Sequence, residues 1–201
     1  MLGKQAKPLS PGALRRLLSA TRRSRTPERN RVIILLSVRA GLRACEIARL
    51  TWGMVLDAEG NVGRVLDVRA GIAKRRSGRR IPMHPQLAQA LKSLKATTDF
   101  APLKADAPVV RSARGTALRA NSIVNWFVAE CVALGLEGCS SHSGRRTFIT
   151  KAARAAHRAG ASLRDVQALA GHRSIETTQR YIDGDTDAQR RLVSLLYGNK
   201  P

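Results

Sequence analysis

The chain has 201 residues and a mass of 21.8 kDa, enough for one domain with a real core, and 43% of its residues are hydrophobic, which excludes a disordered chain. Its 36 lysines and arginines face only 14 acids, and a polyanionic partner would relieve the self-repulsion of a formal net charge of +22. Nucleic acid is the first candidate, and the plainer alternative is a small basic structural protein such as a ribosomal component. Aromatic residues make up only 3% of the chain, which disfavours base-stacking platforms for single strands and favours phosphate contacts along a duplex. The longest apolar run, residues 32–36, is too short to span a bilayer, and the first residues lack the apolar segment of a signal peptide. Cys45, Cys131 and Cys139 give no even disulfide framework and suit a reducing compartment, which is the cytoplasm or, in a nucleated cell, the nucleus. Cys131 and Cys139 with His142 match no common zinc spacing.

In chain order, Ser10-Pro11 reads as an N-cap followed by proline at the first helical position, with Leu14, Leu17 and Leu18 on one face. Thr26-Pro27 repeats the signal, and the next helix is apolar over a broad face through Val32, Ile33, Leu35, Leu36 and Val38, so it is central. Gly41 ends it, and a third helix points Leu42, Ile47 and Leu50 inward. The period then changes. Residues 52–56, 64–69 and 80–83 predict a small antiparallel three-stranded sheet, with a second turn crowded by Lys74, Arg75, Arg76, Arg79 and Arg80. Pro82 belongs at a sheet edge or strand end.

The helical period returns after His84-Pro85 with Leu87, Ala88, Leu91 and Leu94. A long connection, 95–119, includes a short extended piece at Val109-Val110. Asn121 is the expected cap of a helix bearing Ile123, Val124, Phe127, Val128, Cys131 and Leu134. A helix over about 145–158 buries Phe148, Ile149, Ala152, Ala153 and Ala156, and Gly160 stops it. Ser162 and Asp165 form a capping-box start, Gly171 ends that helix, and Ser174 opens a short one carrying Tyr181 near its end. Leu192, Val193, Leu195 and Leu196 predict a C-terminal amphipathic helix. The fold class is mainly α with a small antiparallel sheet, in one domain over 1–201, with its core at about 10–185 and a tail helix in 186–201.

Taken singly, the polar candidates are ordinary. Arg43 and Glu46 suit an ion pair one turn apart, and Lys74 a solvated hairpin tip. His142 and Arg145 suit a helix-start pair, His172 a C-cap contact, and Tyr181 a core position. Together they pose a different question: which chemistry uses two arginines, a lysine, two histidines and a tyrosine? Metal-dependent nucleases need bunched carboxylates, and this chain has few acids. No P-loop pattern occurs. A phosphodiester can be cleaved by a tyrosine nucleophile, with arginines and a histidine stabilising the transition-state oxygens. A lysine can protonate the leaving oxygen, and a histidine can take the tyrosine's proton.

Three stretches carry a resemblance. Residues 40–50, Ala-Gly-Leu-Arg-Ala-Cys-Glu-Ile-Ala-Arg-Leu, resemble the Gly-Leu-Arg-x-x-Glu box of the tyrosine recombinases, also called the phage integrase family. His142-Ser143-Gly144-Arg145 resembles the family's His-x-x-Arg box. Leu169-Ala170-Gly171-His172, followed by Thr177-Thr178-Gln179-Arg180-Tyr181, resembles its Leu-Gly-His…Thr-x-x-x-Tyr box. The resemblance implies that Arg43, Arg145 and His172 contact the non-bridging phosphate oxygens and that His142 is a general base or proton shuttle. It also implies that Tyr181 attacks to leave a 3′-phosphotyrosyl link, Lys74 protonates the leaving oxygen, and Glu46 supports Arg43. It implies no metal and no cofactor. The expected partners are double-stranded DNA, further copies assembled on DNA as a dimer or tetramer, and accessory DNA-bending proteins, in a nucleoid-associated cytoplasmic location.

Two departures stand out. Gly144 replaces the usual leucine before the second arginine, which predicts looser packing there. The chain also offers no match for the N-terminal core-binding (SAM-like) domain that closes many relatives around the duplex. Two rival readings stay open: a catalytically inactive DNA-binding remnant, and relaxation of supercoils in the manner of a type IB topoisomerase.

Overall fold

The computed structural model describes residues 6–73, 77–97, 104–181 and 193–194. Helix α1 (Pro11–Thr21) starts where the Ser10 hydroxyl accepts the Ala13 amide at 3.1 Å. It buries Leu14 and Leu17. Helix α2 (Pro27–Arg39) is polar through its first turn but apolar all round over residues 32–36, so that stretch has to be enclosed. Residues 32–36 and Val38 are buried, and α1, the short α3 (Ala44–Ala48), α4 (Pro85–Ala96) and α6 (Ser143–Ala156) pack about it. Helix α4 turns Leu87, Ala90, Leu91 and Leu94 inward.

The sheet has two strands among the described residues, not three. Strands β1 (Val65–Val68) and β2 (Arg79–Pro82) pair antiparallel, with Val65 opposite Pro82 and Val68 opposite Arg79. Pro82 is the last strand residue, where its missing N–H costs least. The stretch expected as a first strand instead winds into a 3-10 turn, Trp52–Met54. Its amides explain the change: Trp52 N donates to Ala107 O at 2.9 Å and Gly53 N to Ala105 O at 2.8 Å. Those two donors are spent on the 104–110 connection, and the amides of Met54, Val55 and Leu56 turn back to the carbonyls of Thr51 and Trp52, so none of the five is left for a ladder with β1. Only an isolated bridge, Leu56 to Val62, survives of the expected pairing. Val109 and Val110 are buried, but they form a bend between isolated bridges at Pro108 and Arg111 rather than the extended piece expected, and Val109 N donates to Leu50 O.

Helix α5 (Ala120–Ala133) is capped by Arg119, not Asn121. Ile123 N already donates to Arg119 O, so the helical register opens two residues earlier than the asparagine suggests. Its buried face is also narrower than expected: Ile123, Phe127 and Cys131 are inside, while Val128 and Val132 are exposed. Burial, then the nearby Cys139 and Glu130, push the Cys131 thiol up to about 11, so it stays protonated.

Helix α6 begins at Ser143, and a 3-10 turn, His157–Ala159, carries it to Gly160. Gly144 does not loosen this region; it tightens it. A Cβ at Gly144 would lie 2.3 Å from Ser37 Oγ and 2.9 Å from Ser37 Cβ, so glycine allows α6 to close on α2. Helices α7 (Leu163–Ala170) and α8 (Ile175–Gln179) follow. The Ser162–Asp165 capping box starts α7 as expected. Ile149, Val166 and Ala170 form a small second core, against which Tyr181 is packed, half-buried. Tyr181 lies two residues past α8 rather than within it, in a turn closed by its amide on Thr178 O at 3.1 Å. Of the predicted C-terminal helix only residues 193 and 194, both helical, are among those described. No helix of the described residues is long and apolar enough to cross a membrane.

Candidate active site

Four chain segments meet at an open cleft of about 670 Å³: the entry to α3, the entry to α6, the turn after α7, and the exit of α8. They bring Arg43, His142, Arg145, His172 and Tyr181 to one lining. Lys74, the sixth residue singled out from sequence, lies outside the described residues. Ser77, three residues after it, borders a smaller recess of about 270 Å³ that Arg43 and His172 share.

Arg145 is the deepest of the set, with 4% of its surface exposed. Its Nη1 donates to Gly41 O at 2.5 Å and its Nη2 to Ala170 O at 2.7 Å. These carbonyls stand just past the end of α2 and at the last residue of α7, where helical acceptors lack internal partners. One guanidinium thus ties two helix ends together. A guanidinium has five N–H groups, so donors remain for a ligand in the cleft. Burial, then repulsion from Arg43 and Arg79, lowers the Arg145 guanidinium to about 10, still charged at neutral pH.

Glu46 lies beneath Arg43, its side chain fully buried. It accepts from Arg43 Nη1 and from the Arg43 amide, both at 2.9 Å. The ion pair that the one-turn spacing of Arg43 and Glu46 predicts is therefore present. Sequence reading missed the carboxylate's other partner. Arg79, on β2, donates Nη1 to Oε1 at 3.1 Å and Nη2 to Oε2 at 2.9 Å. Burial alone would raise the Glu46 carboxyl, but the hydrogen bonds and charge of Arg79, then those of Arg43, outweigh it and bring it down to about 2. Arg79 also donates Nε to Leu169 O at 2.9 Å. The signal available in sequence was strand alternation: Arg79 and Ile81 share the buried face of β2. In a turn with five basic residues, that alternation did not single out one arginine.

Gly171 takes φ +62° to end α7, and a Cβ there would also stand 3.0 Å from Arg79 Cδ. Only glycine meets both demands. His172 then enters the cleft, braced by Gln167, whose Nε2 donates to the carbonyls of His172 and Arg173. Burial, then the charges of Arg145, Arg43 and Arg79, lower the His172 imidazole to about 4, so it is neutral at pH 7. Its Nδ1 is 2.9 Å from Thr178 Oγ1. The His172 and Tyr181 rings stack with centroids 5.6 Å apart, and the Arg146 guanidinium carbon lies 5.7 Å from the tyrosine centroid. His142 is exposed at the start of α6, its Nδ1 3.4 Å from Ser141 Oγ. No group of three or more His, Cys, Asp or Glu side chains able to hold a metal ion occurs among the described residues.

This arrangement is a cationic, donor-rich cleft with one phenol at its edge, suited to a phosphodiester and a nucleophile. The chain belongs to the phage integrase family, whose model matches residues 7–187. It is 29% identical over 200 residues to the tyrosine recombinase XerC of Brucella suis biovar 1 (strain 1330), an alignment covering 97% of this chain and 59% of the relative. Among solved structures it is similar to the XerA recombinase, with a TM-score of 0.72 at 21% identity, covering 100% of this chain and 66% of that one. It is also similar to the XerH site-specific recombinase bound to a palindromic difH substrate in a post-cleavage complex, with a TM-score of 0.73 at 21% identity, covering 96% and 54%. This chain thus spans between about half and two thirds of the length of these relatives.

Proposed function

We propose that this protein is a site-specific DNA recombinase that cleaves and rejoins DNA strands through a 3′-phosphotyrosine intermediate. The observation that carries this reading is the meeting of Arg43, Arg145, His142, His172 and Tyr181 at one cleft. In the proposed reaction, the Tyr181 phenol oxygen attacks the scissile phosphorus and His142 takes its proton. The phosphorus–5′-oxygen bond breaks, and Lys74 protonates that oxygen. Arg43, Arg145 and His172 donate to the non-bridging oxygens, on which negative charge accumulates. Glu46 holds Arg43 for this task. The phosphotyrosyl link conserves the bond energy, so a 5′ hydroxyl from a second strand can reverse the step without an external energy source.

Two strand exchanges require several such sites, so the reading includes assembly on double-stranded DNA as a dimer or tetramer, with DNA-bending proteins as accessory partners. It places the protein in the cytoplasm, at the nucleoid. The formal charge of +22 supports phosphate contact, which contributes affinity more than sequence choice.

The test is a duplex carrying the repeats that flank the gene, nicked near the scissile bond so that cleavage cannot be reversed. The native protein should form a covalent adduct to a DNA 3′ end, and Tyr181→Phe should form none. An adduct that persists in Tyr181→Phe would overturn the nucleophile assignment. A native protein that forms no adduct would overturn the recombinase reading.

A further inference from the structure

We propose that Thr178 is a positioning residue: its hydroxyl donates to Nδ1 of His172 and holds the imidazole as the Nε2–H tautomer, with a hydrogen-bond donor turned to the cleft. This rests on the recombinase reading only for its consequence, not for its geometry. Thr178 is fully buried, a polar side chain on the inner face of α8. Its Oγ1 lies 2.9 Å from His172 Nδ1. Its carbonyl accepts the Tyr181 amide at 3.1 Å, so one residue fixes both the histidine ring and the turn that delivers the tyrosine.

A neutral imidazole carries a single N–H, on one nitrogen or the other. Burial, then the charges of Arg145, Arg43 and Arg79, discourage a second proton on His172. The remaining proton therefore has two places to sit, and the partner of Nδ1 chooses between them. With the proton on Nδ1, the ring would donate to Thr178 and turn a lone pair toward the cleft. A phosphate oxygen is also an acceptor, so that tautomer would repel it. With the Thr178 hydroxyl donating, Nε2–H joins the guanidinium donors around the same oxygens. Valine fills nearly the volume of threonine but offers no hydroxyl, and serine keeps the hydroxyl.

Two readouts test this on the full chain. In nitrogen NMR of protein labelled at its histidine rings, His172 is assigned by the signals lost in His172→Asn. The native protein and Thr178→Ser should show Nε2 protonated and Nδ1 bare, and Thr178→Val should move toward a mixture. A native Nδ1–H tautomer, or an unchanged tautomer in Thr178→Val, overturns the proposal. On the nicked duplex described above, Thr178→Val should slow adduct formation by about 10–100-fold, the scale seen when a metal-bound imidazole loses the partner that orients it. Its DNA affinity should stay near the native value, its melting temperature should fall by only a few degrees, as for one lost buried hydrogen bond, and Thr178→Ser should react at close to the native rate. A native rate in Thr178→Val, or a serine variant as slow as valine, overturns the proposal. If the native protein forms no adduct, the recombinase reading falls and the tautomer measurement still decides the role of Thr178.

Discussion

Arg79 grips Glu46 at two points, Nη1 to Oε1 at 3.1 Å and Nη2 to Oε2 at 2.9 Å, with both side chains buried. The same carboxylate holds Arg43, and the same guanidinium reaches Leu169 O three residues before His172. One buried pair thus joins the hairpin base, the first arginine of the cleft and the turn that carries the histidine.

Removing one partner of a buried ion pair leaves an uncompensated charge, which costs about 3–5 kcal/mol. Arg79→Met should lose stability on that scale in urea titrations. A loss below about 1 kcal/mol would show that Arg43 alone satisfies Glu46. Arg79→Lys should recover only part, because an ammonium cannot make the two parallel bonds.

Acid should destabilise the fold in two successive windows. His172 is lowered from 6.5 to about 4, so between those values the unfolded chain binds the proton and the folded one does not. Stability should therefore fall as pH drops from 6.5 to 4, with no contribution above that range. Glu46 is lowered from 4.5 to about 2, so its contribution is present above 4.5 and is lost as pH falls to 2. Urea midpoints from pH 8 to pH 4 should slope downward, and His172→Asn should flatten that slope. An equal slope in the variant would remove His172 as its source.

Gly144 and Ser37 should be coupled. Gly144→Ala places a Cβ 2.3 Å from Ser37 Oγ, and overpacking of this kind costs about 1–3 kcal/mol. The higher helix propensity of alanine offsets up to about 1 kcal/mol of that. Adding Ser37→Gly removes the obstructing atoms, so the double variant should recover more than the two single effects sum to. Additive melting-temperature changes would mean that the helices part instead of straining.

Lys74 can be tested by leaving-group chemistry. Lys74→Ala should slow cleavage of the nicked duplex severely. Sulfur in place of the 5′ bridging oxygen leaves as a thiolate and needs little protonation, so that substrate should restore the variant's cleavage rate. An equal defect on both substrates would assign the proton to another group.

Local rules made much of this protein legible from sequence. Ser10-Pro11, the Ser162–Asp165 box and Gly171 act within a turn of chain, and each does in the structure what its residue type dictates. The central position of α2 followed from its apolar girth. The clustering of Arg43, His142, Arg145, His172 and Tyr181 was anticipated through family resemblance, since spacing alone cannot bring residues 43 and 145 together. Tertiary structure decided the rest. Whether residues 52–56 became strand or turn depended on which carbonyls their amides found, and those belong to residues 105 and 107. Which of several arginines was drawn inside depended on a carboxylate 33 positions away. That Gly144 would tighten a contact rather than loosen it depended on Ser37, across a helix interface. Capping and turn formation act over a few residues and are written locally, whereas hydrogen-bond partnership and steric fit between distant segments exist only once the chain has folded.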